Sequence, residues 1–148
     1  MRATAAYSTE PTSQSGEAFR WPIRVYYEDT DAGGVVYYGN YLKYFERCRT
    51  EWLRALGVDQ SALEREQGLQ FVVVRAEVEY LRSARLDDEL VIEARVAELG
   101  RCSIVFNQLA LRAGDVLARA RIRIACVDAQ RRQPARLPQL LRSRIGSL

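Results

Sequence analysis

Residues 28–57 read EDTDAGGVVYYGNYLKYFERCRTEWLRALG, and this stretch decides the fold. Apolar side chains fall at Leu42, Phe45, Cys48, Trp52, Leu53 and Leu56, the spacing of one helical face. Lys43, Glu46, Arg47, Glu51 and Arg54 take the other positions, and Gly57 is a suitable C-terminal stop. The pattern predicts a long amphipathic helix over 40–56. The acids and paired glycines in front of it end whatever strand comes before.

Upstream, residues 19–27 read FRWPIRVYY, with Ile23, Val25 and Tyr27 alternating with Arg24 and Tyr26. That period of two predicts a half-buried strand, and Pro22, lacking an N–H, suits its start or an edge. Downstream, a short helix is expected over 59–67, followed by strands over 70–81, 89–99, 102–111 and 116–127. Val72, Val74, Ala76, Val78 and Tyr80 should share one face of the first of these. Leu90, Ile92, Ala94 and Val96 should share one face of the second. The last is the most regular, with Val116, Ala118, Ala120, Ile122, Ile124 and Cys126 inward and Arg119, Arg121 and Arg123 outward. Short connections between long strands imply antiparallel hairpins. Pro134 and Pro138 mark an irregular stretch, with a short helix expected over 138–145. Residues 1–18 are polar, with little to bury, and are expected to be a disordered tail. A single domain over 19–148 remains. Its class is α+β: one helix must bury its apolar stripe, and a curved antiparallel sheet wrapped around it provides the surface.

Composition narrows the chemistry. The 148 residues are 48% apolar and 28% charged, and a formal charge of +3 is too mild to demand a nucleic acid partner. There is no histidine, which removes Ser-His-Asp triads, Cys-His dyads and histidine metal sites. Cys48, Cys102 and Cys126 form no CxxC pair and are an odd number, so neither a disulfide framework nor a zinc ribbon is expected, and a cytoplasmic setting is. They read as buried small apolar residues rather than nucleophiles. No metal cluster, signal sequence or membrane span is expected. The Arg119, Arg121 and Arg123 row reads as a solvated strand face that discourages edge pairing.

The segment 28–40 carries the remaining chemistry. Unpaired N–H groups at a helix start bind negative charge, and Gly33 and Gly34 let a ligand approach the main chain. A carboxylate there could serve as base or nucleophile while the N–H groups hold an oxyanion, which fits ester or thioester hydrolysis. Asp31 could equally be a helix cap and Gly33-Gly34 a plain turn. The residues alone leave both readings open.

The stretch WPIRVYYEDTDAGGVVYYGNYLKYFERCRTEWL, with the later VEYLRSARLDDELVIEARV and ARIRIACVD, resembles the hotdog-fold acyl-CoA thioesterases of the 4-hydroxybenzoyl-CoA thioesterase family. It is most similar to the YbgC-like subgroup associated with the Tol–Pal system, and the likeness covers residues 19–138. The resemblance implies a hotdog fold and hydrolysis of an acyl-CoA to free acid and CoA. It implies Asp31 as the catalytic carboxylate and the Tyr38 backbone N–H as the group that polarises the thioester carbonyl. Gly33, Gly34, Val74, Arg75, Arg101 and Ser103 are then the candidate substrate-binding residues, with Arg82 a weaker one. No cofactor is implied, coenzyme A being part of the substrate. Sheet-paired dimers assembling into a homotetramer are implied, as are acyl carrier protein or Tol–Pal-linked proteins as partners. Many members of the subgroup carry histidine where this chain has Tyr38, which bears on the acyl pocket more than on the reaction. The alternative is a non-catalytic module that binds acyl-CoA or acyl carrier protein.

Overall fold

A computed structural model describes residues 18–146, so the expected tail over 1–18, all but Ala18, and the last two residues lie outside the described residues. The elements are β1 (Phe19–Arg24), a single 3₁₀ turn (Tyr27–Asp29), α1 (Asn40–Ala55), α2 (Gln60–Gln67), β2 (Leu69–Tyr80), β3 (Glu89–Leu99), β4 (Ser103–Arg112), β5 (Asp115–Asp128) and α3 (Gln139–Gly146). The strands form one antiparallel sheet in the order β1-β3-β4-β5-β2. The two tight hairpins β3–β4 and β4–β5 follow from the short connections, and β2 lies beside β5 at the edge of the sheet. The described helices include none long and apolar enough to cross a membrane.

The α1 stripe seats Tyr41, Tyr44, Phe45, Cys48, Trp52 and Leu53 against the inward rows of β3, β4 and β5. Trp52 meets Phe106 edge-on at 5.1 Å between ring centres. Phe45 and Phe106 are fully buried, which contributes roughly 1.5–3 kcal/mol each. Bulges at Val74, Ala97 and Leu117 interrupt the ladders. Each adds local twist and bends its strand, so the sheet curls around the helix. Asp59 caps α2 by accepting the Ala62 N–H at 3.1 Å, and Gly68 ends it in the left-handed region.

Several expected faces differ from those observed. Tyr27 is 81% exposed because the chain leaves β1 after Arg24 and turns, while Val25 stays buried. Leu42 is exposed, and the α1 residues Tyr41, Tyr44 and Arg49 are buried in addition to the apolar stripe. On β2 the bulge at Val74 breaks the alternation, and Val72, Val73 and Val74 are all exposed on a strand with one free edge. On β5 the bulge turns Leu117 inward, while Val116 is only half-buried. The outward arginines of β5 are ion-paired: Arg119 with Glu79, Arg121 with Glu98 at 2.5 Å, and Arg123 with Glu98 at 3.9 Å.

Candidate active site

The loop between β1 and α1 is built by its own hydrogen bonds. Thr30 and Val36 form an isolated antiparallel bridge, the Asp31 N–H donates to the Val35 carbonyl at 2.9 Å, and the Gly34 N–H returns to the Asp31 carbonyl at 2.9 Å. Gly34 takes φ +79°, which completes this tight hairpin and disfavours a side chain there. The Val36 N–H reaches the Ala84 carbonyl at 2.9 Å, which ties the hairpin to the turn before β3. At its corner the exposed Asp31 carboxylate accepts the Gly33 N–H at 2.9 Å. Asp31 therefore does not cap α1. The N-cap is Gly39, and it makes no side-chain cap bond.

Asp29 holds the other side of the loop. Its buried carboxylate accepts the Tyr26 N–H at 2.8 Å. Its carbonyl takes both the Tyr37 N–H at 2.9 Å and the Asn40 side-chain amide at 2.8 Å. The first turns of α1 then follow, with the Tyr41 N–H on the Tyr38 carbonyl at 3.3 Å and the Leu42 N–H on the Gly39 carbonyl at 3.2 Å. This leaves the N–H groups of Tyr38 and Gly39 without a hydrogen-bond partner among the described residues. They stand at the positive end of a sixteen-residue helix. An aromatic wall flanks them: Tyr38 packs on Tyr37 at 4.8 Å and on Tyr80 at 5.8 Å, and Tyr80 continues to Tyr41 at 5.6 Å. Tyr44, deeper in the same aromatic run, faces Asp29 without reaching hydrogen-bond geometry. Burial first, and then that carboxylate, push its hydroxyl well above the usual tyrosine range.

Asp31, Gly33, Gly34 and the Tyr38 N–H thus share one loop. The other candidates lie elsewhere. Val74 sits at the β2 bulge and Arg75 pairs with Glu77 at 3.2 Å, some 20 Å along the strand from Tyr80. Arg82 pairs with Asp115 at 3.6 Å. Arg101 and Ser103 belong to the β3–β4 turn, where the Gly100 N–H meets the Ser103 carbonyl at 2.8 Å. That turn and the Asp31 hairpin are at opposite ends of β3, roughly 30 Å apart at the rise of a strand. One protomer cannot bring Arg101 and Asp31 together.

The residues missed in the sequence are Asp29, Asn40 and Arg85. A side chain at Gly34 would stand 3.9 Å from the Arg85 guanidinium, so this cation borders the hairpin. The signal for Asn40, a polar residue at the predicted helix start, was present and read only as a boundary. Cys48 and Cys126 offer no competing nucleophile. Burial, first in each case, pushes the Cys48 thiol up to about 12 and the Cys126 thiol up to about 11. Among the described residues no group of His, Cys, Asp or Glu side chains is arranged to hold a metal ion.

A curved antiparallel sheet around one long helix, with a carboxylate-bearing loop at the helix start, defines a hotdog-fold domain of the thioesterase type. The profile of the thioesterase-like superfamily matches residues 25–145. The acyl-CoA thioesterase YbgC of Haemophilus influenzae is 46% identical over 121 residues, 82% of this chain and 89% of that protein. The acyl-CoA thioester hydrolase YbgC of Escherichia coli O157:H7 is also 46% identical, over 82% of this chain and 90% of that one. A crystal structure described as a "Probable Thioesterase" from Bartonella henselae is 35% identical, with a TM-score of 0.78, covering 82% of this chain and all of that one. At 23% identity, a 1,4-dihydroxy-2-naphthoyl-CoA thioesterase from Synechocystis shares the fold, with a TM-score of 0.83 over 89% of this chain and 98% of that one. The chain belongs to the thioesterase-like superfamily and is a YbgC-like hotdog thioesterase.

Proposed function

We propose that the protein hydrolyses acyl-CoA thioesters with the Asp31 carboxylate and the N–H groups that open α1. The observation that carries this reading is the hairpin 30–36, which holds the Asp31 carboxylate on the Gly33 N–H and leaves the Tyr38 N–H free. The thioester carbonyl oxygen sits at the Tyr38 N–H, and negative charge gathers on it as the carbon is attacked. Asp31 either takes a proton from the attacking water or itself attacks the carbon to give a mixed anhydride, which water then opens. In both routes the carbon–sulfur bond breaks and coenzyme A leaves as the thiol. The chemistry needs no cofactor beyond the coenzyme A of the substrate. Three free cysteines suit a reducing compartment such as the cytoplasm.

The same reading makes the working unit an oligomer. β2 offers a long free edge with exposed Val72, Val73 and Val74, and an edge of this kind pairs with another strand unless it is protected. Antiparallel pairing of two β2 strands brings the β3–β4 turn of one copy toward the Asp31 hairpin of the other. Arg101 and Ser103 of the second copy then meet the phosphates of coenzyme A, for which the planar guanidinium is well shaped. Pairing of two such dimers gives the tetramer.

Asp31→Asn keeps the shape and the turn bond and removes the base. Its kcat should fall by about 10²- to 10⁴-fold in an assay of free thiol release from acyl-CoAs, with the melting temperature unchanged. A variant that retains near-native turnover removes Asp31 from the chemistry. A wild-type protein that binds acyl-CoA without releasing thiol is a binding module instead.

A further inference from the structure

We infer that Asn40 is a positioning residue, whose side-chain amide, tied to the Asp29 carbonyl, aims the Tyr38 N–H at the thioester oxygen. This rests on the thioesterase reading above and adds a residue to it. The Tyr38 N–H belongs to the peptide unit between Tyr37 and Tyr38, which is planar and trans. In such a unit the C=O and the N–H point in opposite directions. The C=O end is fixed, because the Tyr37 carbonyl accepts the Asn40 backbone N–H at 2.9 Å. The Tyr38 N–H is therefore turned away from Asn40, toward the side where it has no partner among the described residues. Any shift of Asn40 turns this peptide plane with it.

Asn40 is in turn held by its side chain. Its Nδ2 donates to the Asp29 carbonyl at 2.8 Å, eleven residues back. The same oxygen accepts the Tyr37 N–H at 2.9 Å, so both of its lone pairs are taken. The residues on either side of Tyr38 and Gly39 thus end on one atom. Asp29 is a firm anchor for them. It is buried, its N–H donates to the Tyr26 carbonyl at 2.9 Å, and its carboxylate accepts the Tyr26 N–H at 2.8 Å. It also stands two residues before Asp31, so the clamp joins the carboxylate's side of the loop to the turn that holds the oxyanion. The amide of Asn40 is not a helix cap, since a cap accepts a helix N–H and this group donates back to the loop. A carbonyl oxygen can only accept, so the contact demands a donor at position 40. Every one of these bonds lies within a single chain, and none involves the β2 edge.

Two variants and one spectroscopic signal test this. Asn40→Asp is nearly isosteric and its charge suits a helix start, but an ionised carboxylate cannot donate to the Asp29 carbonyl. Asn40→Ala removes the donor without adding charge. In both, kcat for thiol release should fall by about 10- to 10²-fold, since small misplacements of a catalytic group cost rate steeply. KM should stay within about twofold, because the contact is strongest in the transition state, and Asn40→Asp should melt near the wild type. A readout without turnover uses protein labelled with ¹⁵N at its eight tyrosines and the ketones acetonyl-CoA, 2-oxodecyl-CoA and phenacyl-CoA, which carry a carbonyl but cannot be hydrolysed. The Tyr38 amide signal, assigned by its loss in Tyr38→Phe, should move downfield with at least one ketone in the wild type, and the move should shrink in Asn40→Asp. If the wild type releases no thiol from any acyl-CoA but shows this difference, the positioning role stands and only the thioesterase reading falls. The inference is overturned by a wild-type signal that no ketone moves, or by a full move in Asn40→Asp. It is equally overturned by near-native kcat in Asn40→Asp, or by a loss confined to that variant, which would reflect its added charge. Rate losses in both variants that follow equal drops in melting temperature would make Asn40 a folding residue and overturn it too.

Discussion

The Asp31 carboxylate is held by the shortest possible local device, a side chain bonded to the N–H two residues on. The geometry leaves little room around it. A methyl group at Gly33 would lie 3.3 Å from the Asp31 Oδ1, and Gly33, unlike Gly34, does not need the left-handed region. Gly33→Ala should therefore fold with a melting temperature near that of the wild type while pushing the carboxylate off its bond. We expect thiol release to drop by about tenfold or more through kcat, since small displacements of a catalytic group cost rate steeply. Unchanged kcat with the same melting temperature would show that the bond to Gly33 is irrelevant to catalysis. Asp31, Gly33 and Gly34 were legible in the sequence because everything that places them lies within six residues. Asp29 and Asn40 were not, because the Asn40 amide finds the Asp29 carbonyl eleven positions back and only across a folded loop. Arg49 shows the same limit: its position on the buried side of α1 depends on Gln108, 59 residues away.

Among the elements, the turn before β3 ties the site to the sheet. The Ala84 carbonyl receives the hairpin's Val36 N–H, and the Val25 N–H ends on the Asp88 carbonyl, both at 2.9 Å. Asp88 closes the turn by accepting the Arg85 N–H and the Arg112 guanidinium, each at 2.8 Å. Burial alone would raise its carboxyl, but these two donors outweigh it and hold it below the usual aspartate range. A carboxyl whose folded value is depressed adds stability that is whole above its unfolded value, near 3.9, and lost as pH falls toward the folded one. Asp88→Asn should thus be less stable than the wild type at neutral pH, and the difference should shrink as pH falls below about 4. Denaturant midpoints measured from pH 7 to pH 2.5 check this, and a constant difference across that range would refute it. The elements themselves were readable at this scale, with α1 expected over 40–56 and found at Asn40–Ala55. What failed were faces. A bulge shifts the alternation by one residue and leaves no mark in a valine run such as 72–74, so the exposure of β2 could not be read from its period.

At the scale of the whole molecule, the β-sheet separates groups that the proposed chemistry brings together. The Asp31 hairpin sits at one end of β3 and Arg101 at the other, and no motion within a folded sheet closes that span. In the proposed oligomer a second copy closes it through the β2 edge, where Val73 and Val74 are 51% and 54% exposed. If pairing through this edge completes the site, a lysine there should separate the copies and silence the enzyme together, because an ammonium on a strand edge opposes further pairing. Val74 is the position of choice: it sits in the bulge and opposes no residue of β5, so the substitution leaves the intramolecular ladder intact. Light scattering after size exclusion should give the wild type at a multiple of the 16.9 kDa chain mass and Val74→Lys at the mass of one chain. The variant's circular dichroism should match the wild type, and its kcat/KM should fall by about 10²-fold or more, as expected when the positioning of one end of the substrate is lost. A monomeric wild type with full turnover, or a monomeric Val74→Lys that keeps it, would mean that one protomer houses a complete site. Arg101 would then have no part in it, since within a single chain it stands too far from Asp31 to touch the same thioester.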